Sequence, residues 1–276
     1  MALGLIHAEE SRLLRRGLFD VQNEVGLGRG EEAYHQAFLI WLTRAGVPYE
    51  SKKPHHLLLG AEVASALVPD LAVWDSITVE LKSLTRRIRA EDLVQLFDYL
   101  KCRSDGLGLL ANLGLDRVQV ERIVWRPCET SLQEDWGAWH AKIAGEDRDC
   151  GNRVREALLA VYREHGTGYG SKVTCDLVLC ALAQQGLDIA VSPIASSFYG
   201  DVALPAAPLD CIVLDGRVLL VFSGLFENNE YNLRRGMSFL KALGQTWGVA
   251  ANFGKSRLEI SGLHSSPGAG PRAQTR

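Results

Sequence analysis

The sequence predicts an α/β fold: two tandem domains, each a mixed central sheet flanked by helices, in the order α-α-β-β-β-α-β. Three observations carry this expectation. Apolar residues recur at helical spacing in three segments of the first half. Between them lie short runs with strand character, bounded by turn residues. The chain also matches itself, without gaps, at an offset of 140 residues.

Leu14, Leu18, Val21 and Val25 predict a helix over 11–25, which "GLGRG" breaks. A second helix begins near Glu31 and ends before Gly46, a residue suited to a left-handed cap. Its stripe of Ala33, Ala37, Phe38, Trp41 and Ala45 faces inward, and Glu31, Tyr34 and Phe38 share one face. "KKPHHLLL", "PDLAVWD" and "ITVELK" predict three strands, the last two joined by a turn at Asp75-Ser76. "AEDLVQLFDYLKCR" over 90–103 predicts a helix burying Leu93, Leu96, Phe97 and Leu100, with Gln95 and Tyr99 on an adjoining stripe. "GLGLLANLG" closes the unit as a buried strand.

The self-match sets Gly26, Gly28 and Gly30 over Gly166, Gly168 and Gly170, and "ANLG" (111–114) over "ANFG" (251–254). Glycines mark positions where backbone geometry restricts substitution, so their coincidence at one offset argues for a duplicated fold. The expected divisions are a domain over 1–126, a linker over 127–148 with room for a short helix, and a second domain over 149–263. The Ser-, Pro- and Gly-rich stretch 264–276 is expected to be a disordered tail.

Composition excludes several classes. The 276 residues are 47% hydrophobic with a net charge of -3, so no global basic field advertises nucleic acid. None of the six cysteines forms a CxxC pair, which argues against a zinc site. The first residues lack the basic and apolar regions of a signal peptide. No apolar stretch reaches the roughly 18 residues needed to cross a membrane. A cytoplasmic, reducing location without membrane contact is expected.

The chemistry concentrates in "VPDLAVWDSITVELK", residues 68–82. Side chains alternate along a strand, so Glu80 and Lys82 point to one face while Val79 and Leu81 point to the other. If the neighbouring strand pairs with this one, Asp70 reaches the same end as Glu80. Converging carboxylates repel unless a cation lies between them, and hard oxygen ligands suit magnesium. Lys82 would orient a water, accept its proton or neutralise charge at phosphorus. Taken alone, a Glu-x-Lys on a strand more often marks a solvated ion pair; only the combination of residues raises the chemical reading.

That combination resembles the PD-(D/E)xK nuclease superfamily, the restriction-endonuclease-like fold. Pro69-Asp70 and Glu80-Leu81-Lys82 match its namesake motif. Gly28-Arg29-Gly30-Glu31-Glu32-Ala33-Tyr34 resembles the signature of the GxxExxY proteins, a branch of it, and Gln95-Leu96-Phe97-Asp98-Tyr99 resembles the QxxxY element of the exonuclease-like branch. The resemblance spans about residues 15–125. It implies that Asp70 and Glu80 bind Mg2+ or Mn2+, that Glu31 is a further acidic ligand, direct or through water, and that Lys82 serves catalysis. Gln95 and Tyr99 would steady the site or touch the nucleic-acid backbone. The implied substrate is nucleic acid, with DNA the first expectation.

At the fixed offset, Glu80 becomes Leu220, Lys82 becomes Phe222, Glu31 becomes Ser171 and Gln95 becomes Arg235, while Asp210 stands over Asp70. A pseudo-nuclease second half is expected, serving to pack, to hold nucleic acid or to bind a protein partner. Near the first site, "LTRRIR" (84–89) offers Arg86, Arg87 and Arg89 as phosphate-gripping donors.

Overall fold

The computed structural model describes residues 6–200, 202–225 and 229–265. The chain divides into two compact units, Met1–Leu57 with Ser65–Pro127, and Leu58–Ala64 with Cys128–Arg276.

The first unit opens with α1 (Ala8–Val25) and α2 (Glu31–Arg44). They pack closely at Gly17, where an added Cβ would lie 2.6 Å from the Trp41 ring. There follow in the chain β1 (Tyr49–Ser51), β2 (His55–Leu59), β3 (Glu62–Leu67), β4 (Leu71–Val73), β5 (Ile77–Lys82), α3 (Ala90–Arg103), β6 (Leu107–Asn112) and β7 (Gln119–Val124). Of these, the end of β2 and the start of β3, within Leu58–Ala64, group with the second unit. β2 and β3 pair only with each other; the main sheet has the order β1-β4-β5-β6-β7. Only β5 and β6 are parallel, and α3 is the crossover between them, as a parallel pair requires.

The sheet has two faces with different roles. Ile77, Val79 and Leu81 of β5 join Leu14, Leu18, Phe38 and Leu42 of the first two helices in the main core. By alternation Thr78, Glu80 and Lys82 face the other way, toward α3, where Leu96, Leu100 and Leu110 form a smaller cluster. β1, β3 and β7 add to the expected element order. β1 is only three residues long, and β7 is half-buried along most of its length, so neither carries a clear apolar rhythm.

The second unit comprises β8 (Ser131–Glu134), α4 (Trp136–His140), α5 (Gly145–His165), α6 (Ser171–Gln184), β9 (Ile189–Val191), β10 (Ile194–Ala195), β11 (Phe198–Tyr199), β12 (Val202–Ala203), β13 (Ala207–Pro208), β14 (Ile212–Leu214), β15 (Val218–Gly224), α7 (Asn229–Leu243), β16 (Trp247–Phe253) and β17 (Arg257–His264). Its main sheet has the order β8-β17-β16-β15-β14-β9. The stretch 127–148, expected as a linker with room for a short helix, holds that helix as α4 and also contributes β8, which pairs in parallel with β17. β17 runs to His264, and the expected disordered tail lies outside the described residues from 266 onward. Among the described residues no helix is long and apolar enough to cross a membrane.

Both main sheets share one pairing pattern: β1-β4-β5-β6-β7 and β9-β14-β15-β16-β17 run antiparallel, antiparallel, parallel, antiparallel. The register corrects the ungapped offset. Tyr49 pairs with Val73 where Ile189 pairs with Leu214, and Lys82 pairs with Asn112 where Ser223 pairs with Asn252. The hairpin of the second unit is therefore displaced by one extra residue. Glu80 corresponds to Val221, Lys82 to Ser223 and Asp70 to Cys211, not to Leu220, Phe222 and Asp210. Burial agrees, since Leu219 and Val221 share the α7-side cluster with Leu240, whereas a one-residue slip would exchange the two faces.

Candidate active site

Two backbone devices aim Glu31 at the β4–β5 hairpin. Gly26 and Gly28 take φ of 80° and 73°, a region that favours glycine, and so let the chain turn from α1 into α2. The buried Tyr34 hydroxyl donates to the Gly26 carbonyl at 2.8 Å, and Ser83 Oγ donates to the Arg29 carbonyl at 2.6 Å. Tyr34 is thus a core residue that ties down the glycine loop, and Glu31 begins α2 beside the hairpin.

Asp70 and Glu80 come together through the hairpin itself. Asp70 Oδ2 accepts the Leu81 N–H at 2.8 Å, and Glu80 Oε2 lies 3.5 Å from the Asp70 N–H. Glu80 is only 2% exposed. Burial, and then the charge of Asp70, push its pKa up to about 7, against the opposing pull of Lys82. Lys82 Nζ donates to Glu80 Oε1 at 2.7 Å and to Gln95 Oε1 at 3.1 Å. Burial works against the ammonium charge, but Glu80, Glu31 and Asp70 together outweigh it and hold the Lys82 pKa above its ordinary range.

From Gln95 the network continues inward. Gln95 Nε2 donates to the Tyr99 hydroxyl at 2.5 Å, and that hydroxyl donates to the Val68 carbonyl at 3.0 Å. Of the two roles expected of Tyr99, steadying the site or touching the nucleic-acid backbone, this arrangement favours the first: it is 4% exposed, its hydroxyl is engaged, and it supports Gln95. Burial, then Glu80, raise its pKa.

Glu31 does not join the other two acids in a closed ligand set. Among the described residues no group of three His, Cys, Asp or Glu side chains surrounds a common point. Glu31 is exposed, yet crowding around its carboxyl raises its pKa; Lys82 opposes that rise and Asp70 adds to it. It therefore senses the hairpin through its field. The donor set still fits a hard divalent cation. Two carboxylates lie together, one so deeply buried that its charge is disfavoured, and a cation beside them would relieve both burial and repulsion.

The three arginines part company. Arg86 is committed to the start of α3, its NH1 and NH2 donating to Asp92 Oδ2 and Oδ1 at 2.6 and 2.9 Å. That corrects its expected role as a phosphate donor and holds Asp92 down at about 2. Arg89 is the N-cap residue of α3 and lies 3.7 Å from Glu91. Arg87 is exposed, with no ion-pair partner among the described residues.

Three supporting residues escaped the sequence reading. Buried His35 places Nε2 3.1 Å from Ser51 Oγ and 3.4 Å from the Asp70 carbonyl. The Lys52 N–H donates to that same carbonyl at 3.1 Å. Asn112, fully buried, pins the loop after Lys82: its Oδ1 accepts from Leu84 N and its Nδ2 donates to the Leu84 and Arg86 carbonyls. Only the recurrence of "ANLG" as "ANFG" hinted at Asn112; nothing in the pattern marked His35.

In the second unit, Val221 and Ser223 stand where Glu80 and Lys82 do. Ser223 Oγ donates to Asn252 Oδ1 at 2.9 Å, and Arg235, the counterpart of Gln95, donates to the Phe222 carbonyl, Asn232 Oδ1 and Asp210 Oδ2.

A search of curated proteins found no match. Residues 8–123, from the start of α1 into β7, match the model of the PD-(D/E)XK nuclease superfamily, so this part of the chain is similar to proteins that generally hydrolyse phosphodiester bonds.

Proposed function

We propose that the chain is a metal-dependent nuclease whose active centre lies wholly in the first unit. The observation that carries this reading is the convergence of Asp70, Glu80 and Lys82 on one hairpin, with Gln95 holding the lysine. A divalent ion, Mg2+ or Mn2+, would supply Lewis acidity to the phosphodiester. The protein's own part is positioning and charge. Asp70 and Glu80 present oxygen ligands, and Glu31 adds negative field from the start of α2. The raised pKa of Lys82 favours a charged donor over a proton acceptor, so the ammonium faces the anionic phosphate oxygens. Gln95 and Tyr99 fix that ammonium's position. Arg87 is the best placed of the loop arginines to meet a substrate phosphate.

The shared pairing pattern of the two sheets supports a tandem duplication, and the recurrence of glycine positions points the same way. The second unit has lost the acids and the lysine, which supports a pseudo-nuclease role in packing or in binding a partner. Six cysteines without a disulfide fit a reducing, cytoplasmic setting.

The test is cleavage of single- and double-stranded DNA and RNA with Mg2+ or Mn2+. Asp70→Ala and Lys82→Ala should each lower the rate by about 10²–10³-fold. Equal, EDTA-insensitive rates in all three proteins would remove the mechanism. The competing reading is a non-catalytic nucleic-acid- or protein-binding module on the same fold. The lack of a closed three-acid set among the described residues favours it. It predicts no turnover and partner binding unchanged by Lys82→Ala.

A further inference from the structure

The exposed side of α1 carries a feature that the hydrolytic reading does not use. Arg12, Arg15, Arg16 and Phe19 fall at helical spacings of three and four, so they form one stripe, opposite the buried Leu14, Leu18 and Val21. Together with Ala8, Ser11 and Arg122 of β7 they line one concavity of about 370 Å³ in the first unit. Four guanidinium groups thus converge in a protein whose net charge is -3.

The acids nearby leave this charge available. Arg12 pairs with Glu9 at 2.9 Å, and Arg16 lies 3.8 Å from Asp20, but both arginines are more than 70% exposed. Such pairs contribute about 0–1 kcal/mol and yield readily to a stronger anion. Among the described residues Arg15 has no ion-pair partner; Arg122 donates through NH2 to the Ile6 carbonyl, and its Nε is buried without a hydrogen-bond partner. Phe19, 40% exposed, lines the same concavity as these cations.

We propose that this groove binds single-stranded nucleic acid, its arginines meeting backbone phosphates and Phe19 stacking on an unpaired base. The inference rests on the nuclease reading for its choice of substrate. The pairing of cations with an exposed aromatic is what a single strand requires, since a base stacked on an aromatic ring contributes about 1–3 kcal/mol. An acidic peptide would use the arginines but not the ring face. A duplex keeps its bases stacked away from Phe19. From Arg12 to Phe19 the stripe runs about 10 Å along the helix, enough for a few nucleotides of a strand.

The test uses the full chain in EDTA, with a fluorescein-labelled 20-mer of thymidylate followed by anisotropy over a range of salt. Arg12→Gln, Arg15→Gln and Arg16→Gln combined should weaken binding at least tenfold and reduce the salt slope by about 2. Phe19→Ala should weaken binding several-fold and leave that slope unchanged. These positions are exposed, so circular dichroism should report an unaltered fold. Unchanged affinity in both variants overturns the groove, as does a wild-type chain that fails to bind the oligonucleotide or binds polyglutamate more tightly. Hydrolysis of bis(p-nitrophenyl) phosphate with Mn2+ separates the two proposals. It should be unaffected by the arginine variant and lost in Lys82→Ala. Loss of the hydrolytic reading with oligonucleotide binding still dependent on the arginines would leave the groove standing.

Discussion

Glu80 is the residue on which the site's pH behaviour turns. Its folded-state pKa, about 7, lies above that of an unfolded glutamate. The folded protein therefore keeps a proton that the unfolded chain releases, and this group's contribution to stability falls as pH rises from about 4.5 to about 7. A bound cation competes with that same proton. The melting temperature gained on adding 10 mM Mg2+ should accordingly be larger at pH 8 than at pH 6, at constant ionic strength. A gain of equal size at both pH values would separate Glu80 from cation binding. Tyr99 offers a second test. Tyr99→Phe leaves the Val68 carbonyl and Gln95 Nε2 without their shared partner, so calorimetry should show a loss of about 1–3 kcal/mol. Activity should fall with it if Gln95 holds Lys82 for catalysis, and unchanged kcat would reduce Tyr99 to a packing role. The motif residues themselves were readable because Asp70 and Lys82 lie only 12 positions apart, with Glu80 between them, on one hairpin where alternation fixes their faces. The commitment of Arg86 to Asp92 and the pairing of the Tyr99 hydroxyl with the Val68 carbonyl were not readable, because each depends on where α3 docks.

At the scale of elements, β5 is held at both ends. Its C-terminal end carries the site; near its start Thr78 Oγ1 donates to Asp105 at 2.6 Å, and Asp105 accepts from Arg103 Nε at 2.8 Å. Both side chains of this ion pair are 5% exposed. Asp105→Ala would leave the Arg103 charge buried beside His55 and should cost about 3–5 kcal/mol, measured by urea denaturation. A loss under 1 kcal/mol would mean that Arg103 is satisfied by its remaining partners. The same element shows why an ungapped self-match misleads. The glycines outside the hairpin keep the offset of 140, whereas Asp70, Glu80 and Lys82 all lie on the shifted hairpin, so their ungapped partners Asp210, Leu220 and Phe222 are each one residue out of register. The helix spans were well drawn, since their apolar spacing is long and local, but the stripe expected on α2 was not: Ala33 and Ala45 are exposed, and Tyr34, His35, Phe38 and Leu42 are the residues it buries. β8 was missed because "SLQE" is largely exposed and shows no alternation.

At the scale of the whole molecule, the two halves differ in chemistry more than in fold. Residues 1–140 hold 16 basic and 20 acidic side chains, and residues 141–276 hold 14 and 13. The small difference gives neither half a field that would recruit nucleic acid unaided, so the proposed binding rests on local features. All the acids proposed to hold a metal belong to the first unit, while the second unit has Val221 and Ser223 at the positions of Glu80 and Lys82 and so offers no carboxylate there. Each chain should therefore carry its divalent-ion binding in the first unit alone. Electron paramagnetic resonance of Mn2+ titrated into the full chain, wild type against Glu80→Gln, tests this most directly. The account predicts saturable Mn2+ binding in the wild type that disappears in the variant; binding that persists in Glu80→Gln, or a wild type that binds no Mn2+ at millimolar concentration, would contradict it.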